Sequence, residues 1–302
     1  MTRPHAALAG LMMTLLLSAA GCPLEPQQPL EPTRLTSDPG DETAPAFSPD
    51  GKWVVYASSL NGTDNGLFVV PTSRDGGGRR RLTKPGMSDG NPDWSRDGKW
   101  IAYQRTTGKD TDVFIVSAAS EESDNNPARQ LTKGGCVSES PSWSPDGRFV
   151  AFDSNRDGRF QVHVMNAGGD NEHVLTRGTN NSVSPAWSPD GKVIAFATDR
   201  TGDYDVWLMD ADGALQRRLT AEPAPELRPK WLPDGRQIVH AYRTSEGRTE
   251  FWSVFTTGKG AKLVLASSDS IRDPVVSPDG KWLAFSSNHF GSYDLFLLKL
   301  GE

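Results

Sequence analysis

Pro141–Phe152 reads PSWSPDGRFVAF, and one period later Pro185–Phe196 reads PAWSPDGKVIAF. Looser copies start at Pro45 (PAFSPDGKWVVY), Pro92 (PDWSRDGKWIAY), Pro229 (PKWLPDGRQIVH) and Pro274 (PVVSPDGKWLAF). Their Asp-Gly steps begin at Asp50, Asp97, Asp146, Asp190, Asp234 and Asp279, spaced 47, 49, 44, 44 and 45 residues apart. Self-similarity at a period near 45 means one supersecondary unit copied side by side, which decides the fold before any single residue does.

Each unit carries four β segments. A first strand starts at the proline (Pro141-Ser-Trp-Ser) and ends at Asp-Gly, a pair that tolerates the positive φ of a tight hairpin. Proline is acceptable at the first residue of a strand, and the pattern places it there. The second strand is Arg148–Phe152 and the third Gln161–Met165, matched one repeat on by Asp205–Met209. The fourth ends in Leu-Thr. Thr36, Thr83, Thr132, Thr176 and Thr220 each lie nine residues before the next proline, and Leu265 takes that place in the sixth repeat. A constant link between units, with variable hairpins inside them, is what a radial array requires.

The ends of the chain supply closure. Only 23 residues follow Asp279 and none reads Leu-Thr, whereas Arg34-Leu-Thr36 precedes the first repeat without a unit of its own. The expected fold is therefore all-β: a six-bladed β-propeller of four-stranded blades over residues 34–302. The last blade takes one strand from the N-terminus and three from the C-terminus, which removes the open edges of the ring. An open solenoid would leave the Arg-Leu-Thr segment unexplained and both ends uncapped.

The pattern PxWSPDGKxIAF, then S-R-x-G-x-x-D-V-W-x-M-D, then R-x-L-T resembles the TolB-type propeller repeat over residues 34–298. The likeness is strongest in repeats three and four, and looser in the fifth (Trp231-Leu-Pro) and sixth (Val276 for Trp). TolB-type proteins carry an α/β domain ahead of the propeller. Only Pro23–Thr33 separates Cys22 from the first strand here, so that domain is expected to be absent. The resemblance implies envelope proteins as partners, peptidoglycan-associated lipoproteins among them.

Ahead of the repeats, Arg3 precedes a mostly apolar run, AALAGLMMTLLLSAA. Residues 1–21 read as a secretory signal, because about 14 apolar residues fall short of the roughly 20 a bilayer span needs. Ala19-Ala20-Gly21-Cys22 resembles the bacterial lipobox, which implies cleavage before Cys22 and acylation of its thiol. Residues 22–33 then form a stiff Pro-rich tether, and several acyl chains would hold the protein at a membrane. The expected location is the bacterial cell envelope, on the periplasm-facing outer membrane. With Cys22 acylated, Cys136 has no disulfide partner. A formal net charge of −6 and the lack of any basic stripe argue against nucleic acid.

Catalytic motifs are weak throughout. Gly86-Met-Ser-Asp-Gly90 fits the G-x-S-x-G string, but Ser88 lies in a link between strands, without the strand-to-helix turn that exposes such a nucleophile. Asp153–Gly158 mimics the opening of a calcium loop, yet Val164 stands where a bidentate Glu is required. His163, His173, His240 and His289 fall in separate strand contexts with no metal-ligand spacing. Trp94, Trp143, Trp187 and Trp231 recur at one repeat position and read as packing between blades. No catalytic residue, metal or cofactor is expected.

The residues just before each proline differ between repeats while the framework stays constant, as in a recognition surface. They should ring the mouth of the central channel. The candidate partner-binding residues are Glu42, Asp89, Asn91, Glu139, Ser140, Ser184, Glu226, Arg228, Arg272 and Asp273, with a basic side at repeats five and six. The expected function is a monomeric, non-enzymatic, lipid-anchored scaffold that binds an envelope protein through this funnel. The alternative is a carbohydrate-binding protein or polysaccharide-active enzyme using the same funnel. Oligogalacturonate lyases share related repeats and pair a metal with channel histidines.

Overall fold

The Ser-x-Asp-Gly string builds its own turn. Ser48 Oγ donates to Asp50 Oδ1 (2.6 Å) and accepts the Trp53 N–H (3.0 Å), while Asp50 Oδ1 also takes the Lys52 N–H (3.1 Å). The same three bonds recur at Ser95/Asp97, Ser144/Asp146, Ser188/Asp190 and Ser277/Asp279. The serine bond and then the backbone N–H hold the carboxyls of Asp50, Asp97, Asp190 and Asp279 below their ordinary range. The fifth copy has Leu232 in place of the serine and keeps only the Arg236 N–H to Asp234.

The structure, a computed structural model, describes residues 31–60, 65–73, 78–119 and 128–301. The signal segment, Cys22 and the tether up to Leu30 lie outside the described residues. The rest forms six antiparallel four-stranded sheets, five of which run in chain order from the inner strand to the outer one. Blade three is typical, with strands Ser138–Trp143, Phe149–Ser154, Gln161–Asn166 and His173–Val174. Blade six joins Ile271–Val276, Trp282–Ser287 and Asp294–Lys299 to the N-terminal strand Thr33–Arg34, in the register Thr33↔Leu297 and Arg34↔Phe296. The expected one-plus-three closure is the one observed.

The Leu-Thr signature ends five of the six outer strands. Leu67, Val113, Val162, Val206 and Leu295, on third strands, donate their N–H groups to Oγ1 of Thr83, Thr132, Thr176, Thr220 and Thr36 at 2.9–3.0 Å. A side-chain hydroxyl thus replaces the next backbone acceptor, and the chain is free to turn inward to the following blade. These outer strands are correspondingly only two residues long.

Each apolar core lies between two neighbouring blades. Val162, Val164 and Leu175 of blade three pack with Ile194, Phe196 and Met209 of blade four, for instance. The repeated tryptophans sit at these seams, and Trp231 Nε1 donates to the Ala186 carbonyl of the preceding blade at 2.9 Å.

One expectation needs correction. The prolines do not begin the inner strands, which start three residues earlier, as at Glu42, Ser138 and Glu226. The register slips across each proline, for example between Glu139 and Ser142. A bulge, where no ladder N–H is needed, accommodates the imide inside the strand.

Replacing Thr176, which is fully buried, with Val should leave the Val162 N–H unpaired and cost about 1–3 kcal/mol in urea unfolding. Stability equal to the native chain would contradict the capping role.

Candidate functional site

The bulge divides the residues before each proline into two environments. Those immediately preceding it (Ala44, Asn91, Ser140, Ser184, Arg228 and Asp273) all adopt positive φ, from 45° to 60°. Non-glycine residues seldom occupy this region, and six copies of it make a structural device rather than an accident. With the prolines that follow, these six residues line a constriction of about 60 Å³ in the central channel. That is a few waters' worth of space. Towards the Asp-Gly face the channel widens to about 210 Å³, lined by Asp93, Lys230 and the repeated tryptophans.

Three residues before the proline, side chains instead turn between the blades and are buried: Glu42, Asp89, Ser138, Ser182 and Glu226 are 0–1% exposed. The expectation that Glu42, Asp89 and Glu226 ring the mouth is corrected accordingly. The kink at the bulge sends alternate side chains to opposite sides of the inner strand. Asp89 is held by a two-pronged pair with Arg105 (2.7 and 2.9 Å). Where this position is serine, an arginine from the neighbouring hairpin reaches in, Arg156 Nη2 to Ser138 Oγ (3.2 Å) and Arg200 Nη2 to Ser182 Oγ (3.4 Å).

Glu42 and Glu226 are less well served. Burial, reinforced by nearby carboxylates, pushes each up to about 7 against the Thr36 and Thr220 hydroxyls that favour ionisation. His240 Nδ1 lies 3.6 Å from Glu226, and burial holds this histidine down at about 4, in its neutral form.

Asn91, Ser140, Ser184, Arg228 and Asp273 do reach the channel. Arg228 bonds Asp273; Arg272 Nε lies 3.9 Å from the same carboxylate and its guanidinium stacks 3.6 Å from the Tyr293 ring centroid. The expected grouping of Arg228, Arg272 and Asp273 is therefore present. Glu139 is half-buried, and burial raises its carboxyl despite the opposing charge of Arg228.

Sequence reading missed three members of the site, Asp153, Gln104 and Asp93. Asp153, fully buried on the second strand opposite Glu139, accepts the Ser184 N–H (2.8 Å) and is raised by burial and then by Glu139. Gln104 takes the Ser140 N–H (3.3 Å) and the Asn91 amide (2.7 Å). Asp93 accepts the Trp143 N–H (2.7 Å) of the next blade, and its carboxyl is raised by burial against the attraction of Lys230. Asp273 likewise accepts the Ala44 N–H across a blade boundary (3.0 Å). Acids at blades two and three thus face cations at blade five, giving the channel a charge polarity across its axis. The one available signal was a polar residue where sister second strands carry alanine, as Asp153 against Ala57, Ala197 and Ala241.

Residues 175–301 match the family described as the TolB beta propeller domain. The repeats of this stretch are of the TolB β-propeller type. A TolB-assigned protein from Agrobacterium tumefaciens is similar over 89% of this chain and 93% of its own, at 20% identity and a TM-score of 0.71. TolB from Acinetobacter baumannii is similar over 79% of this chain and 58% of its own, at 23% identity and a TM-score of 0.68. An oligogalacturonate lyase from Vibrio parahaemolyticus shares the fold over 90% of this chain and 94% of its own, at 14% identity and a TM-score of 0.61. No curated protein sequence matches the chain. TolB-type propellers and a lyase therefore share this architecture, and fold alone does not choose between binding and catalysis.

Glu42 and Glu226 each bind a proton in the folded state that the unfolded chain releases near pH 4.5. Stability should fall as pH rises from about 4.5 to about 7, by roughly 2–3 kcal/mol per residue. Glu226→Gln should raise the melting temperature at pH 8 and flatten its pH dependence. An unchanged pH profile would contradict a buried, protonated Glu226.

Proposed function

We propose that this chain is a non-enzymatic, lipid-anchored propeller of the bacterial cell envelope that binds another protein at the pre-proline mouth of its channel. The observation that carries this reading is the ring of six residues held in one backbone conformation while their side chains differ from blade to blade. A fixed scaffold with variable tips supports recognition. The constriction is too narrow to pass a folded segment, so a partner would read the rim, where Arg228 faces Glu139. TolB resemblance favours a partner among envelope proteins, a peptidoglycan-associated lipoprotein being the leading class.

The lyase likeness favours the second reading, a glycan-active protein using the same mouth. Another solved oligogalacturonate lyase of this fold is a complex with manganese. Among the described residues, no three His, Cys, Asp or Glu side chains come together as metal ligands, so the residues present do not fit such a centre. His163 stacks on Phe152 at 5.5 Å and faces Glu172 at 3.1 Å within blade three, away from the channel.

Photo-reactive residues at Asn91, Ser140 and Arg228 should capture one envelope protein in cells, and Arg228→Glu with Arg272→Glu should abolish that capture. Capture of glycan, or capture unaffected by the charge reversal, would contradict the proposal. Cys22→Ser should release the chain from the membrane fraction. Continued membrane attachment of this variant would contradict the anchor.

A further inference from the structure

The residue directly after each strand proline lines the middle of the channel. In chain order these residues are Ala46, Asp93, Ser142, Ala186, Lys230 and Val275, and all six border the chamber of about 210 Å³ beyond the constriction. Four are uncharged. The two charged ones, Asp93 and Lys230, come from the inner strands of blades two and five, so in a ring of six they stand on opposite walls. Neither neutralises the other by contact. Asp93 feels the charge of Lys230, but the two do not come within the 4.0 Å of an ion pair. Among the described residues, the half-buried Lys230 has no hydrogen-bond or ion-pair partner. Asp93 is fixed by the Trp143 N–H on Oδ2 (2.7 Å). The remaining wall is largely apolar, with Trp94, Trp143, Trp187 and Trp231 along it. Towards the Asp-Gly face follow Pro49, Pro145, Pro189, Pro233 and Pro278, with Arg96 in the corresponding place of blade two.

We propose that this chamber is a second binding site, which takes a zwitterion of dipeptide size with apolar side chains, its carboxylate on Lys230 and its ammonium on Asp93. The two charges select the class of ligand. A simple anion drawn to Lys230 would also face the Asp93 carboxylate, and a simple cation would face Lys230. A neutral sugar would desolvate both charges and pair neither. A ligand with one charge of each sign at its two ends pairs both. Span and volume set its size. In a free α-amino acid both charges hang on one carbon. In a dipeptide one peptide unit separates them, with about 3.8 Å between Cα atoms, which suits partners on opposite walls. The chamber has room on the order of ten waters, and its tryptophans and prolines would receive apolar side chains. Burial holds the Asp93 carboxyl above its ordinary range, and a ligand ammonium beside it would favour the ionised form. The chamber opens on the Asp-Gly side of the constriction, so a ligand there need not touch the pre-proline rim.

Titration calorimetry of the full chain with the dipeptide Ala-Leu tests this. Ala-Leu should bind with a dissociation constant at or below about 1 mM, and the tryptophan fluorescence should change in step. N-acetyl-Ala-Leu lacks the ammonium and Ala-Leu amide lacks the carboxylate; each should bind about tenfold more weakly or worse. Lys230→Met should bind the acid and the amide alike. Asp93→Asn, which keeps an oxygen for the Trp143 N–H, should bind the free and the acetylated dipeptide alike. A general folding defect would not produce this separate loss of discrimination, and circular dichroism should show both variants folded. Native chain that does not bind Ala-Leu at about 10 mM, or that binds all three ligands equally, would overturn the proposal. So would folded variants that discriminate as the native chain does.

Discussion

The whole ring depends on a few bonds at one seam. Leu35 N–H reaches the Leu295 carbonyl at 2.7 Å, Leu295 N–H returns to Thr36 Oγ1 at 2.9 Å, and Arg34 meets the fully buried Asp294 at 2.8 Å. Glu42 N–H to the Tyr293 carbonyl (2.6 Å) then ties blade one to blade six. Because each apolar core lies between two blades rather than within one, an open seam would expose Phe47, Tyr56 and Leu297 together. Closure is thus a condition for every core and for the position of each channel residue.

A second constraint follows from the bulge at each proline. It lets one inner strand serve two environments, burying the residue three before the proline and presenting the one just before it to the channel. Carboxylates and an amide then bridge successive blades through backbone N–H groups, at Asp153–Ser184, Asp273–Ala44 and Gln104–Ser140. Polar groups at the mouth therefore have two roles, holding blade to blade and giving the rim its charge.

Periodicity made the fold legible because blade count, strand order and closure depend on spacing, and spacing is written in the chain. The grouping of Arg228, Arg272 and Asp273 was legible for the same reason, as adjacent repeats bring equivalent positions side by side. The burial of Glu42, Asp89 and Glu226 was not. It turns on a one-residue slip that inverts side-chain direction, and proline at a strand's first residue is equally good chemistry. Asp153 was hidden by its context, since Asp-Ser-Asn-Arg-Asp-Gly reads as a turn while its first residue belongs to the strand. The outer strand of blade five, Lys262–Ala266, is five residues long where its sisters have two, and this was visible only as Leu265 in a threonine position, whose meaning required the capping bond to be seen.

Hydrogen exchange across all six blades, in the native chain and in a variant carrying Arg34→Ala and Thr36→Val, tests the closure account most directly. Amides of every blade should lose protection together, since the seam holds one cooperative ring. Loss confined to Asp294–Lys299, with blades two to four as protected as before, would contradict it.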